Sequence, residues 1–184
     1  MNKNKMFLKD VKSFIDNKNR IVFLDIDGVI TQGSKNDWYI HDINKTIDYL
    51  VNKYKDDIYK RMKQYDVLAA YYDWDPLSIG KLKKLLDITY SEIVILSNFR
   101  FGNTMESLKA LFKLHAMDEY ILDRCPAFDD KIDAINEYLN GNIVDNYVIF
   151  DDNEKLKIFD GNFIQTHGYL SDENIDAAYR VLTK

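Results

Sequence analysis

Ile21-Val22-Phe23-Leu24-Asp25-Ile26-Asp27-Gly28-Val29 is an apolar run that delivers two carboxylates and then a glycine. Four consecutive apolar residues, followed at once by polar ones, predict a strand buried on both faces, the kind found inside parallel sheets. In open parallel sheets ligands collect outside the carboxyl ends of the strands, so Asp25 and Asp27 fall where a ligand would sit. Strand-like alternation sends both to one side and Ile26 to the other. Two carboxylates held close repel, and ionising both requires a cation or a shared proton. All-oxygen ligands with no neighbouring His or Cys select a hard ion, Mg²⁺ before zinc or copper. Taken alone, a D-x-D-G stretch fits an acidic strand-to-turn junction equally well.

Two further runs repeat the pattern. Ile93-Val94-Ile95-Leu96 ends in Ser97-Asn98-Phe99-Arg100, and Tyr147-Val148-Ile149-Phe150 ends in Asp151-Asp152-Asn153-Glu154. Ser97 stands at a strand exit, where a hydroxyl and the following backbone N–H groups can hold a phosphate oxygen. Helical patterns separate the runs, which predicts a parallel α/β sheet with its oxygen-bearing residues along one edge. Asp75-Pro76 is an N-cap followed by proline at the first helical position, with Leu77, Leu82, Leu85 and Leu86 as an apolar face. Asn103 is expected to cap a helix through Leu108 and Leu111, and Ser171 or Asp172 the last one. Asp129 or Asp130 caps a helix that buries Ile132, Ile135 and Tyr138 and closes at Gly141. Lys131 then lies in its first turn, where a cation opposes the helix dipole, which points to function or to an ordinary exposed lysine. Tyr120 to Leu122 and Phe163-Ile164 are short strand candidates.

The remaining stretches frame this sheet. Phe7, Leu8, Val11, Phe14 and Ile15 recur at helical spacing, predicting an amphipathic helix near residues 6–17. Residues 29–41, with Gly33 and several small polar residues, suggest an irregular flap. Ile43, Ile47, Leu50, Val51, Tyr54, Ile58 and Met62 form one stripe over about five turns, behind an Asp42 cap and interleaved with lysines. It is either a packing helix with a solvated basic face or a lid over the crevice.

A chain of 184 residues, 46% hydrophobic and 30% charged, has room for one well-buried core, with an insertion but not with a second ordinary domain. No run reaches the roughly 20 apolar residues of a membrane span, and no signal-peptide pattern follows Met1, so a cytoplasmic location and no membrane partner are expected. The single Cys125 is expected to be a buried packing residue in a reducing compartment. A net charge of −5 argues against tight sequence-independent binding to nucleic acid. The three histidines, His41, His115 and His167, lack metal-ligand spacing.

Phe23 to Val29, Ile95 to Ser97, Lys131 and Ile149 to Asp152, in this order, resemble the four motifs of the haloacid dehalogenase (HAD) superfamily of phosphatases. With Asp75-Pro76 and Ile93 to Arg100 added, the chain is most similar to the HAD domain of Swiss Army Knife RNA repair proteins, although Asn98 and Phe99 stand where Ser and Trp are usual. The resemblance implies a single HAD-like domain over 1–184, a Rossmann-like three-layer sandwich with a central parallel sheet, and a flap with a small helical cap inserted at 31–74. It implies a Mg²⁺-dependent phosphatase with Asp25 as nucleophile and Asp27 as general acid and base, the latter giving its backbone carbonyl to the metal. Asp151 would hold Mg²⁺ with Asp25, Asp152 would act through water or orient the site, and Lys131 and Ser97 would hold phosphoryl oxygens. Asn98 and Arg100 would join Ser97 in binding substrate. The substrate would be a phosphorylated small molecule or a nucleic-acid end. The alternatives are a phosphatase of small metabolites and a non-catalytic or regulatory HAD-like metal-binding domain.

Overall fold

The computed structural model describes residues 18–32 and 37–184. The helix expected near 6–17 and the Gly33 part of the flap lie outside the described residues. Five strands, β1 (Arg20–Leu24), β2 (Glu92–Ile95), β3 (Ile121–Arg124), β4 (Asn146–Asp151) and β5 (Phe163–Gln165), form one sheet in the order β3-β2-β1-β4-β5. Every pairing is parallel. All five residues of β1 are buried, as a central strand covered on both faces requires.

The alternation of β1 divides the core. Val22 and Leu24 join one apolar cluster, and Ile21 and Phe23 join another on the opposite face. The helices are α1 (Ile43–Tyr54), α2 (Ile58–Arg61), α3 (Gln64–Tyr72), α4 (Pro76–Thr89), α5 (Met105–Lys113), α6 (Lys131–Gly141) and α7 (Asp172–Leu182). Six of them send side chains to the Val22/Leu24 cluster, through residues such as Leu50, Tyr59, Leu68, Leu82, Leu111 and Leu182. Helix α6 alone among them covers the other face, with Ala134, Ile135 and Tyr138. There the Phe23 ring meets Tyr138 edge-on at 5.5 Å, a geometry that adds to simple burial. Each fully buried Leu or Phe contributes about 1.5–3 kcal/mol over its exposed state, so this second layer depends heavily on α6.

Side-chain caps set the helix starts. Asp42 accepts from Lys45 N at 3.0 Å, Asp75 from Ser78 N at 2.7 Å and Asp130 from Ile132 N at 2.6 Å. Ser171 forms a capping box with Asn174. The cap of α5 is Thr104 and not Asn103. Asn103 is buried instead, and its amide donates to Asp66 and to Phe99 O. The single stripe expected over 43–62 is broken. Lys55 adopts φ 54° and ends α1, and the chain restarts at Ile58 and again at Gln64. A left-handed residue cannot continue a right-handed helix, yet Ile47, Leu50, Ile58, Tyr59 and Met62 all still reach the core. Among the described residues no helix is long and apolar enough to cross a membrane.

Candidate active site

The parallel register creates the site. Leu24 pairs with Phe150, so the next residue of each strand, Asp25 and Asp151, leaves the sheet beside the other. Asp25 N extends the ladder by donating to Phe150 O at 3.0 Å. One residue past Leu24 and Phe150, the alternation turns both carboxylates toward the α6 face. Lys131 meets them there as the first residue of α6, its Nζ 3.0 Å from Asp25 Oδ2 and 2.6 Å from Asp151 Oδ2. Asp25 is 5% exposed and Asp151 is wholly buried. Asp151 Oδ1 also accepts from Asn153 N at 2.9 Å.

One ammonium does not balance this much buried negative charge. Burial raises the Asp25 carboxyl above its ordinary value despite Lys131. Burial first, and then the Asp25 charge, push Asp151 up to about 6. Burial opposes the Lys131 charge, but the two carboxylates outweigh it and hold the ammonium above its usual pKa. Oxygens of Asp25, Asp151 and Asp152 lie within 4.8 Å of one another. A compact, all-oxygen set whose three carboxylates face one ammonium fits a hard divalent cation such as Mg²⁺.

Gly28 allows Asp152 to take its place. Its φ is +78°, and a Cβ there would fall 2.6 Å from Asp152 Cγ. Gly28 O in turn accepts from Thr166 Oγ1 at 2.7 Å and from Gly168 N at 3.0 Å, which pins the turn to the segment after β5. Asp27 differs from its neighbours. Its side chain is more exposed and lies outside the group formed by the Asp25, Asp151 and Asp152 carboxylates. It faces a cleft of about 740 Å³, also lined by Asp25, Asn98, Lys131, Asp152 and Lys155. Partial burial, with the charges of Asp152 and Asp66, raises its pKa against the pull of Lys131.

The second strand exit holds Ser97, Asn98 and Arg100 at different depths. Ser97 is wholly buried and does not line the cleft; its Oγ lies 3.4 Å from Phe99 N and caps the turn at Asn98–Arg100. That turn presents Asn98, which does line the cleft. Arg100, expected at the substrate, is 1% exposed. Its guanidinium donates to Phe128 O at 2.6 Å, to Pro126 O at 3.4 Å and to Leu96 O. A buried guanidinium must find acceptors, and here it ties the end of β2 to the loop that leads into Lys131. Its local sequence gives no sign of this, because the acceptors are backbone carbonyls, two of them remote in the chain. Asn153, Glu154 and Lys155 also border the cleft; their signal was the unbroken polar run after Phe150.

A 3-2-1-4-5 parallel sheet with acidic exits on β1 and β4, and a lysine between them, defines a HAD-type domain. The profile for the HAD domain in Swiss Army Knife RNA repair proteins matches residues 21–175, and the chain belongs to that family. No curated protein and no solved structure matches it significantly. Membership supports a HAD-type phosphohydrolase in general.

Proposed function

We propose that the protein is a Mg²⁺-dependent phosphoric monoester hydrolase working through an aspartyl-phosphate on Asp25. The observation that carries this reading is the Lys131 ammonium lodged between Asp25 and Asp151 at the floor of an open cleft. Asp25, Asp151 and Asp152 would hold the metal. Bound there, Mg²⁺ supplies positive charge to the phosphoryl oxygens and lets an anionic nucleophile approach an anionic substrate. Asp25 Oδ attacks phosphorus as the ester P–O bond breaks, while Asp27, its pKa raised, gives a proton to the leaving oxygen. Asp27 then takes a proton from the water that hydrolyses the acyl phosphate, freeing Asp25 and inorganic phosphate. Lys131 neutralises charge on the transferring group, and Asn98 offers an amide to its oxygens. Arg100 and Ser97 hold the loops from which these two groups project.

The segment through α1–α3 packs its apolar residues into the core and would serve as the cap, and the match to the HAD domain in Swiss Army Knife RNA repair proteins supports terminal phosphates of nucleic acid over small metabolites as substrate. A reducing, cytoplasmic setting suits a chain whose one cysteine is free and buried. A panel of phosphate monoesters, including 3′- and 5′-phosphorylated oligonucleotides, assayed with Mg²⁺ and with EDTA, tests the proposal. Phosphate release that depends on Mg²⁺ is expected. Stabilisation by Mg²⁺ without turnover of any ester would instead mark a metal-binding domain that lacks catalysis.

A further inference from the structure

Six carboxylates line the cleft, those of Asp25, Asp27, Asp129, Asp130, Asp152 and Glu154, against two ammonium groups, those of Lys131 and Lys155. Even with a divalent cation bound, the negative charges outnumber the positive ones. The transferring phosphoryl group is balanced by the metal and by Lys131. Any second anion on the substrate meets acidic walls instead, and a cleft lined by one sign of charge repels a like-charged group strongly. Lys155 is the one position on the lining where that repulsion turns into attraction.

Lys131 is committed, its Nζ 3.0 Å from Asp25 and 2.6 Å from Asp151. Lys155 is not. Its side chain is exposed, and among the described residues its Nζ has neither an ion pair nor a hydrogen bond. The neighbouring Glu154 carboxylate turns to Lys157 at 3.3 Å and to Gln165 at 3.4 Å instead, and Asp130 is taken up in capping α6. The backbone that carries Lys155 is nevertheless tied to the exit of β4. Asp151 Oδ1 accepts from Asn153 N at 2.9 Å, Asn153 Oδ1 accepts from Lys155 N at 3.1 Å, and the next residue, Leu156, is wholly buried in the Phe23 cluster. A free ammonium on a flexible stem therefore starts from a fixed point on the cleft wall.

We propose that Lys155 is a specificity-determining residue that binds a second anionic group, a phosphate or a carboxylate, carried on the leaving group of the phosphate monoester. This narrows the substrate class of the proposed function and rests on that reading. Discrimination comes from both signs of charge. A second anion within reach of Lys155 gains a charge-assisted contact, and one held elsewhere in the cleft is repelled by the carboxylates. Selection is therefore by position as well as by charge, so leaving groups of one length are favoured over shorter and longer ones. A lysine suits this role, since its compact charge accepts either anion without the planar fit that a guanidinium requires.

The test measures kcat/KM of the full chain in saturating Mg²⁺ for α,ω-alkanediol bisphosphates of increasing length, each against the corresponding monophosphate, at low and at high salt. At one length wild type should prefer the bisphosphate about fivefold per transferable phosphate, the upper range for a partly exposed charge pair, and high salt should shrink the preference. Lys155→Ala should bring that ratio to one or below, and Lys155→Arg should keep it. Lys157→Ala should leave it unchanged, because Lys157 does not border the cleft. The ratio compares two substrates on the same protein, so a loss of folded molecules does not move it. A matched series ending in a carboxylate separates the two anions: a preference shared by both series and erased in Lys155→Ala assigns the position to either anion, and one confined to bisphosphates assigns it to phosphate. Bisphosphates that are merely equal or disfavoured at every length, a preference that Lys155→Ala retains, or one that Lys157→Ala loses equally would each overturn the role of Lys155. Turnover of the monophosphates without any preference leaves the phosphatase and removes this role, whereas no turnover of any series removes the phosphatase and the role with it.

Discussion

Lys131 Nζ lies 3.0 Å from Asp25 Oδ2, a contact between the first residue of a helix and the residue that follows a strand more than a hundred positions earlier. At a helix start this cation opposes the dipole, and its two carboxylate partners account for its presence. Lys131→Met should therefore reduce kcat on an aryl phosphate about 10²-fold, the effect of roughly 3 kcal/mol expected for one lost charge-stabilising donor. Steady-state assays at saturating Mg²⁺ check this. A rate equal to wild type would show that another cation serves the phosphoryl group.

The carboxylate pair also predicts how stability varies with pH. Burial, and then the charge of Asp25, raise Asp151 from 3.8 to about 6 in the folded protein. Between these values the folded state holds more protons than the unfolded state, so the contribution is largest below about pH 4 and declines as pH rises through about 6. In EDTA, wild type should lose stability from pH 4 to 7 more steeply than Asp151→Asn, which lacks the titrating group. The difference should be on the order of 1 kcal/mol or more, since a tenfold change in proton affinity is worth roughly 1.4 kcal/mol. Denaturant melts across that range give both slopes, and parallel slopes would contradict the assignment.

Gly28→Ala should weaken fold and metal response together. The left-handed backbone costs an alanine about 1–2 kcal/mol, and its methyl group would displace Asp152. Melting curves should show a lower stability in EDTA and a smaller gain on adding Mg²⁺ than in wild type. Loss of stability with an undiminished Mg²⁺ gain would mean that Asp152 takes no part in holding the metal.

How far the sequence revealed this site depended on the range of the interactions. The three buried runs and their polar exits are local patterns, so the sheet, Asp25 and Asp151 could be read from them directly. Asp130 as a cap and Lys131 behind it were legible for the same reason. Asp152 against Gly28, and Arg100 against Phe128, are contacts between distant segments, and local pattern cannot show whether a polar side chain turns inward. Ser97 was placed correctly at a strand exit, but its hydroxyl serves the turn. The stripe through 43–62 kept its inward periodicity across two breaks, because the core requires the apolar residues and not an unbroken helix.

Arg100→Lys tests the clamp. A lysine cannot reproduce the planar fork that reaches Leu96, Pro126 and Phe128 together. Stability should fall by about 3 kcal/mol, as for a damaged buried charged network. Below the new melting point kcat should drop roughly tenfold with KM little changed, since the loop leading to Lys131 loosens while Asn98 stays at the cleft. A rise in KM with kcat unchanged would return Arg100 to substrate contact.

Phosphate release by Asp25→Asn in saturating Mg²⁺ bears directly on the role of Asp25 as nucleophile. Removing one of the crowded carboxylates relieves repulsion, so the variant should fold, with a melting temperature in EDTA equal to or above that of wild type. Its gain on adding Mg²⁺ should be smaller, because a neutral amide is the weaker ligand. This folded variant should show no measurable turnover, and turnover near the wild-type rate would contradict an aspartyl-phosphate on Asp25.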